Sequence, residues 1–450
     1  MTLKKRMKIQ KFEIHKILLI LVVIYFLIFG YFMAYTVGQP DQTPHNYYSS
    51  LFSETWGVPE DDMDVGNYLV TGRPYLYYWL NGAIAKVYKA IFPVNPPIRT
   101  PIIWRLFSVI LSTFTVYYTY KLARKVTNNP FAGVLAAFFL ANTLMFVFVS
   151  GGIGYDNLMN LAAVAAIYHL VSVYKGDNFV EQSLLTGIWV IIGSITKLQY
   201  LLLTLIIFSA WLFFAIKNIK IIKLTFSKKN IILGVVFIGF LGLFLGLYGV
   251  NFIRYSKITP SCTQIKPQES CRGFSNRLEY HEPFSLDVFW FQRDNTTNIF
   301  QYVFQYWLYK MVESTWGILS HKTFVPLFSI GLHSVLALWA VGSQIRYWKP
   351  EDKTGTLLIF IMAAYSSYIL FMNYRNEVNF SFQHYAVSGR YFSPIYGVFI
   401  TLMVHYFLKI RSVLIKKLAF SLAIMIYFNG GLWMYISRYA EVFIHWRLYK

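Results

Sequence analysis

Four ionisable side chains stand out because they break apolar sequence: Asp41, Asp156, Lys197 and Arg390. An ionisable group at membrane depth is costly to desolvate and tends to mark function. Asp41 lies in Gln39-Pro-Asp-Gln-Thr-Pro-His45, bracketed by Pro40 and Pro44, with His45 four residues on. A carboxylate at a partly dehydrated boundary can work as a general base, although an ordinary loop aspartate would show the same spacing. Asp156 lies in Gly151-Gly-Ile-Gly-Tyr-Asp-Asn157 and reads either as a second acid or as the cap of a helix starting near Asn157. Lys197, in Gly193-Ser-Ile-Thr-Lys-Leu-Gln-Tyr200, is the only charge between Glu181 and Lys217. It needs an anionic partner or a path to water; a phosphate would serve, and so would snorkelling to the interface. Arg390, in Ser388-Gly-Arg-Tyr-Phe-Ser-Pro394, suits bidentate phosphate binding or the anchoring of a helix end. Arg73 precedes Pro-Tyr-Leu-Tyr-Tyr-Trp79 and follows an acidic cluster, Glu60, Asp61, Asp62 and Asp64, which reads as a solvated turn before it reads as a metal site.

The elements that must carry these groups follow from composition. Of 450 residues, 56% are hydrophobic and 14% charged, with mean hydropathy +0.46. Soluble domains average roughly 25% charged residues. The shortfall excludes disorder, an ordinary soluble enzyme and a nucleic-acid-binding basic domain; the net charge of +21 sits between apolar runs and not in a basic patch. Runs near the ~20 residues needed to cross a bilayer cover 17–40, 131–155, 157–174, 198–216, 230–253, 323–345, 354–374, 391–408 and 418–437, with shorter ones at 106–120 and 182–196. The expected fold is an all-α polytopic membrane protein of about eleven transmembrane helices in one integral domain. The first helix covers 17–37, helices two to seven lie within 102–253, helices eight to eleven within 323–436, and 437–450 is a tail. The first run is long for a signal peptide and lacks a cleavage site, so an uncleaved helix is expected.

With the N-terminus cytoplasmic, the inner segments hold more than half of the 41 basic residues but only a quarter of the 20 acidic ones, which satisfies the positive-inside preference. Two larger loops then face outward, 38–101 and 254–322. Within the first, 75–92 has apolar residues at Leu76, Trp79, Ala83, Val87 and Ile91, a spacing that predicts an interfacial helix with Lys86 and Lys89 on its wetter side. Cys262 and Cys271 share the second loop, where an oxidising compartment permits a disulfide; two cysteines without nearby histidines are too few for a zinc site.

The order of these motifs resembles the multi-spanning glycosyltransferases of the GT-C class that use lipid-linked sugars. The nearest branch is that of the protein O-mannosyltransferases, the lipid A aminoarabinose transferases and related bacterial membrane families. The resemblance rests on Pro40-Asp-x-x-x-His45 directly after helix one, Pro74-Tyr-Leu-Tyr-Tyr-Trp-Leu80, Arg105-Leu-Phe-Ser108, Tyr155-Asp-Asn157, Thr196-Lys197 and Gly389-Arg-Tyr-Phe-x-Pro394. It covers about 15–215 and 385–410. One departure is plain: where the family often has an Asp-Glu pair at the first site, Gln42 follows Asp41.

The resemblance implies sugar transfer from a polyprenyl-phosphate donor to an acceptor hydroxyl, with Asp41 as general base and Asp156 as a second catalytic acid. It implies Lys197, Arg390 and Arg73 on the phosphate, and His45 and Tyr391 on substrate. No cofactor is required, and a divalent metal is compatible with the resemblance but not indicated. The implied partners are the lipid-linked sugar, a lipid, glycan or protein acceptor, and the bilayer, with no nucleic acid. The implied location is a bacterial inner or plasma membrane, or endoplasmic reticulum in a eukaryote, with the site on the outer or luminal side. A transporter or non-catalytic scaffold for polyprenyl-linked sugars is the alternative, since fold does not fix function.

Overall fold

The computed structural model describes residues 3–36, 42–58, 72–93, 99–219, 227–265, 298–320, 323–379 and 387–438. Its first ten helices are α1 (Leu3–Thr36), α2 (Gln42–Glu54), α3 (Leu76–Ile91), α4 (Thr100–Thr127), α5 (Pro130–Ala141), α6 (Leu144–Ser150), α7 (Asp156–Tyr174), α8 (Phe179–Ser194), α9 (Tyr200–Asn218) and α10 (Lys228–Tyr255). A wide π-helical stretch, Tyr302–Trp307, leads into α11 (Leu308–Gly317). Strands β1 (Ile318–Ser320) and β2 (Thr323–Phe324) pair antiparallel in a small hairpin. After them come α12 (Leu327–Tyr347), α13 (Lys353–Asn379), a 3₁₀ segment (Gly389–Ile395), α14 (Tyr396–Leu408) and α15 (Val413–Ser437).

Each of the eleven apolar runs coincides with a helix or a helix pair. Among the described residues nine helices are long and apolar enough to cross a membrane. The tenth run is the pair α5 and α6, bent by 70°, and the eleventh is the sixteen-residue α8. The bend has a local cause. At the break, the side chains of Asn142 and Thr143 donate back to the carbonyls of Phe138 and Phe139, ending one helix before the next begins.

Contacts at the helix ends show that both irregular elements traverse the bundle. At one end Lys125, closing α4, pairs with Asp177 just after α7, and Glu181 in the first turn of α8 pairs with Lys229 in the first turn of α10. At the other end Gly154, just before α7, donates to the Tyr77 hydroxyl, and Ile195, just after α8, accepts from the amides of Tyr75 and Leu76. The nineteen residues of α7 rise about 28 Å between these ends, close to a bilayer core. The α5–α6 pair and α8 join the same two ends and so cover the same distance.

Helix α7 is the centre and almost wholly buried, whereas α10 is largely exposed at the periphery. Its run of Ala162, Ala163, Ala165 and Ala166 is buried, and small side chains let neighbouring backbones approach closely. Helix α1 shows the opposite design. Val22, Phe26, Phe29 and Met33 form one buried stripe, while Ile17, Ile20, Ile24 and Ile28 form an exposed one, as expected of a helix between protein and lipid.

Helices α2 and α3 pack side by side, with His45, Ser49 and Phe52 meeting Tyr78, Asn81 and Gly82 in turn, and their close approach requires a glycine. A Cβ on Gly82 would stand 2.3 Å from the Phe52 carbonyl oxygen. The expected interfacial helix at 75–92 is α3, but its buried face differs from the expected one. Tyr77, Tyr78, Asn81, Gly82 and Ala85 pack on the protein, while Val87 and Ile91 are exposed. Periodicity finds the apolar stripe but does not say whether lipid or protein covers it. Within the stretch 254–322, α11 and the turns before it bury Trp307, Met311 and Thr315 at a spacing of four, with the Trp307 indole donating to Asn373. The pairing of Cys262 with Cys271 lies outside the described residues.

Candidate active site

The first turn of α7, the turn after α8 and the 3₁₀ segment converge at the end of the bundle that α2 and α3 cover. Three of the singled-out charges meet there. Lys197 Nζ lies 2.6 Å from Asp156 Oδ1, with both side chains almost fully buried. Arg390 Nε lies 4.0 Å from Asp156 Oδ2. The lysine also sits over two rings, 4.7 Å from the Tyr155 centroid and 5.4 Å from that of Tyr391, and the Arg390 guanidinium lies 5.5 Å from the Tyr391 ring. Aromatic faces favour a desolvated cation. The cluster thus sets the Lys197 ammonium and the Arg390 guanidinium beside one buried carboxylate.

Local structure explains why these side chains converge. Asp156 belongs to the first helical turn of α7, and its carboxylate turns to Lys197 and not to a cap. The turn before it is held by Asn157, whose amide donates to the carbonyls of Val149, Gly152 and Gly154, while Ser112 donates to its Oδ1. The Lys197 amide donates to Gly193 O, closing a tight turn after α8. The 3₁₀ segment is fixed from two sides. Ser393 donates to Asn160 of α7, and Ser314 of α11 accepts from the Gly389 amide.

His45 is buried in α2, with Nδ1 2.7 Å from the Tyr78 hydroxyl and its ring edge-on to Tyr155 at 4.9 Å. Burial raises the Tyr78 phenol well above its usual range, so it meets His45 as a neutral hydroxyl. Tyr155 therefore links His45 to Lys197. Gln42 accepts from Arg105 Nη2 at 2.6 Å, and Nη1 of the same guanidinium donates to Ala34 O, so the residue in place of the family's second acid joins the ends of α1, α2 and α4. Arg73 lies near Tyr248, in a segment tied to α10 through the Asn251 amide and Gly72 O. Asp41 and the acidic cluster Glu60, Asp61, Asp62 and Asp64 lie outside the described residues. Among the described residues no three His, Cys, Asp or Glu side chains converge as metal ligands.

An apolar cavity of about 890 Å³ opens between α4, α7, α8 and α10, and no residue of the cluster lines it. It runs from Trp56, Tyr75 and Trp79 down between α4, α8 and α10 to Phe114, Trp189 and Phe240. Its upper wall is the segment whose amides are held by Ile195, two residues from Lys197. Sequence reasoning missed Tyr78, Asn157, Asn160 and Ser393. Tyr78, Asn157 and Ser393 fell within quoted motifs but were given no role, and Asn160 was passed over.

Comparisons with known proteins bear on the same region. Residues 99–244, about a third of the chain, match the family described as dolichyl-phosphate-mannose-protein mannosyltransferase. The oligosaccharyltransferase AglB of Archaeoglobus fulgidus, solved with an inhibitory peptide and a dolichol-phosphate, is similar at a TM-score of 0.53 and 13% identity, over 96% of this chain and 56% of that one. The same organism's oligosaccharyltransferase in its apo form gives 0.50 and 13%, over 95% and 56%. The S. cerevisiae Pmt1–Pmt2 protein O-mannosyltransferase complex bound to the sugar donor overlaps 54% of this chain and 34% of that one, at 19% identity and a TM-score of 0.38. The chain thus spans a little over half the length of the archaeal enzyme, and at this identity the likeness is one of fold. No curated protein sequence matches the chain.

Proposed function

We propose that this chain, which has the fold of the GT-C membrane glycosyltransferases and matches the mannosyltransferase family over residues 99–244, transfers a sugar from a polyprenyl-phosphate donor to an acceptor hydroxyl at the outer face of the membrane. The observation that supports this reading is the buried cluster of Lys197, Asp156 and Arg390, at the end of the bundle where an apolar cavity opens against Tyr75 and Leu76. A lipid-linked phosphate combines an anionic head with an apolar tail.

The acceptor oxygen attacks the anomeric carbon, the bond from that carbon to the phosphate oxygen breaks, and polyprenyl phosphate departs with the bonding pair. Asp41 takes the acceptor proton. Lys197 and Arg390 stabilise the negative charge that grows on the leaving phosphate, in a site where fixed cations act more strongly than in water. Asp156 holds Lys197 in place and orders the site around the sugar, with Tyr391 and His45 along its walls. Arg73 serves the phosphate as it enters from the α10 side. The cavity beside Trp79 and Trp189 takes the first isoprene units. The membrane is a bacterial inner or plasma membrane, or the endoplasmic reticulum if the source is a eukaryote.

Purified protein supplied with a panel of polyprenyl-phosphate sugars and acceptors tests this reading. Asp41→Asn should lower kcat by about 10² to 10⁴, the usual contribution of a positioned base. Lys197→Ala and Arg390→Ala should raise the donor KM more than the acceptor KM. An unchanged rate in Asp41→Asn would remove the base. Movement of labelled lipid across liposomes without a glycosylated product would replace catalysis with transport.

A further inference from the structure

The end of the bundle opposite the Asp156 cluster carries a second cavity, of about 940 Å³, between the close of α12 and the turn from α14 to α15. Four basic residues line it, Arg346, Lys349, Lys409 and Arg411, and no acidic residue does. Lys409 is occupied by Asp352. Arg346, Lys349 and Arg411 make no ion pair among the described residues. Three uncompensated cations converging on one concavity repel one another, and an anion between them removes that cost.

The surroundings specify the kind of anion. Trp339 and Trp348 line the same cavity, as aromatic side chains do at headgroup level. Leading away from it along α12 are the exposed Leu338, Val341 and Ile345, and along α15 the exposed Val413, Leu414 and Leu418. Two apolar tracks therefore leave a basic headgroup-sized cavity in the direction of the bilayer core. Basic cavities between transmembrane helices on the cytoplasmic side bind anionic lipid headgroups on these grounds.

We propose that this cavity is a binding site for the phosphodiester headgroup of an anionic phospholipid, with Arg346, Lys349 and Arg411 on the phosphate and the acyl chains along α12 and α15. It is separate from the donor site and does not depend on the activity proposed above. Its consequence is mechanical. Because α14 continues directly from the 3₁₀ segment that carries Arg390, a lipid seated at the foot of α14 braces the helix whose other end forms part of the cluster.

The full chain in phosphatidylcholine nanodiscs, titrated with phosphatidylglycerol and followed by thermal unfolding and by native mass spectrometry, tests the proposal. Each basic side chain near an anionic surface contributes roughly fivefold in affinity, so Arg346→Gln with Arg411→Gln should weaken phosphatidylglycerol binding by about thirtyfold. Lys217→Gln with Lys228→Gln, which removes two exposed lysines of the same face outside the cavity, should leave the high-affinity site unchanged. Equal loss in both pairs would reduce the effect to general surface charge and overturn the site. A shift produced as well by inorganic phosphate would assign the cavity to a soluble anion and overturn the lipid. Should the arginine pair fail to fold, Lys349→Gln alone should still weaken binding about fivefold, and unchanged binding there would equally overturn the proposal.

Discussion

At the scale of residues, the Asp156–Lys197 pair sets the terms for the rest of the site. Both groups are buried, and removing one partner of a buried pair leaves an uncompensated charge, which costs about 3–5 kcal/mol. Asp156→Asn should therefore lower the thermal midpoint of the purified protein sharply. Adding Lys197→Met to that variant should restore part of the stability, since it removes the uncompensated buried ammonium. Transfer activity should not return with it. A double variant no more stable than the single one would show that the pair does not hold the site together. That Lys197 needed a partner was legible in the sequence, because it stands alone in a long apolar stretch. That the partner would be Asp156 was not, because the two are 41 positions apart and only the packing of α7 against α8 joins them. Asn157, Asn160 and Ser393 escaped for a related reason. Their polarity is ordinary, and only the turns and helix contacts they satisfy give them weight.

At the scale of elements, the spanning helices were the most legible part and the helices on the bundle's ends the least. Apolar length alone marks a span, whereas α2 is thirteen residues with a proline near its start and six Ser, Thr or Tyr side chains, and it forms because Tyr48, Phe52 and Ser49 dock on α3. Interhelix turns were read only as places where charge collects, yet one of them is a clasp. Asp352, between α12 and α13, accepts from His405 at 2.6 Å and from Lys409, both at the foot of α14. Burial works to raise its carboxyl, but the hydrogen bonds from His405, Lys409 and the Gly355 amide outweigh it and hold the group well below its ordinary value of 3.8. A depressed folded-state value means that the stabilisation is fully present above the unfolded value and fades as pH falls through the folded one. Wild type and Asp352→Asn should accordingly differ most in thermal midpoint near neutrality, with wild type the higher, and the gap should close as the buffer is taken below about pH 4. A gap that stays constant down to the acid limit would mean that the clasp is held by packing and not by the carboxylate.

At the scale of the whole molecule, the two ends of the bundle are chemically different, and the difference predicts which way the protein faces. One end gathers the paired cluster of Asp156, Lys197 and Arg390 under helices α2 and α3. The other end gathers Lys125, Lys229, Lys349, Lys409 and Arg411 at helix termini. Basic residues flanking membrane helices tend to be retained on the cytoplasmic side, so the lysine-rich end is expected in the cytoplasm and the Asp156 end outside. The bend at Asn142 is what makes this conclusion depend on three dimensions. If α5 and α6 did not traverse the bundle, every later helix would reverse, and the Lys197 turn would fall on the basic side. The contacts of Lys125 with Asp177 and of Gly154 with Tyr77 exclude that arrangement. Single cysteines introduced into a variant lacking Cys262 and Cys271 give the measurement. In intact cells, or in right-side-out vesicles, a membrane-impermeant maleimide should label Lys257→Cys, which is exposed beyond the Tyr255 end of α10, and should leave Lys228→Cys at its start unlabelled until the membrane is opened. The reverse pattern would place the Asp156 cluster in the cytoplasm, where the proposed donor phosphate, presented at the outer face, would not meet it.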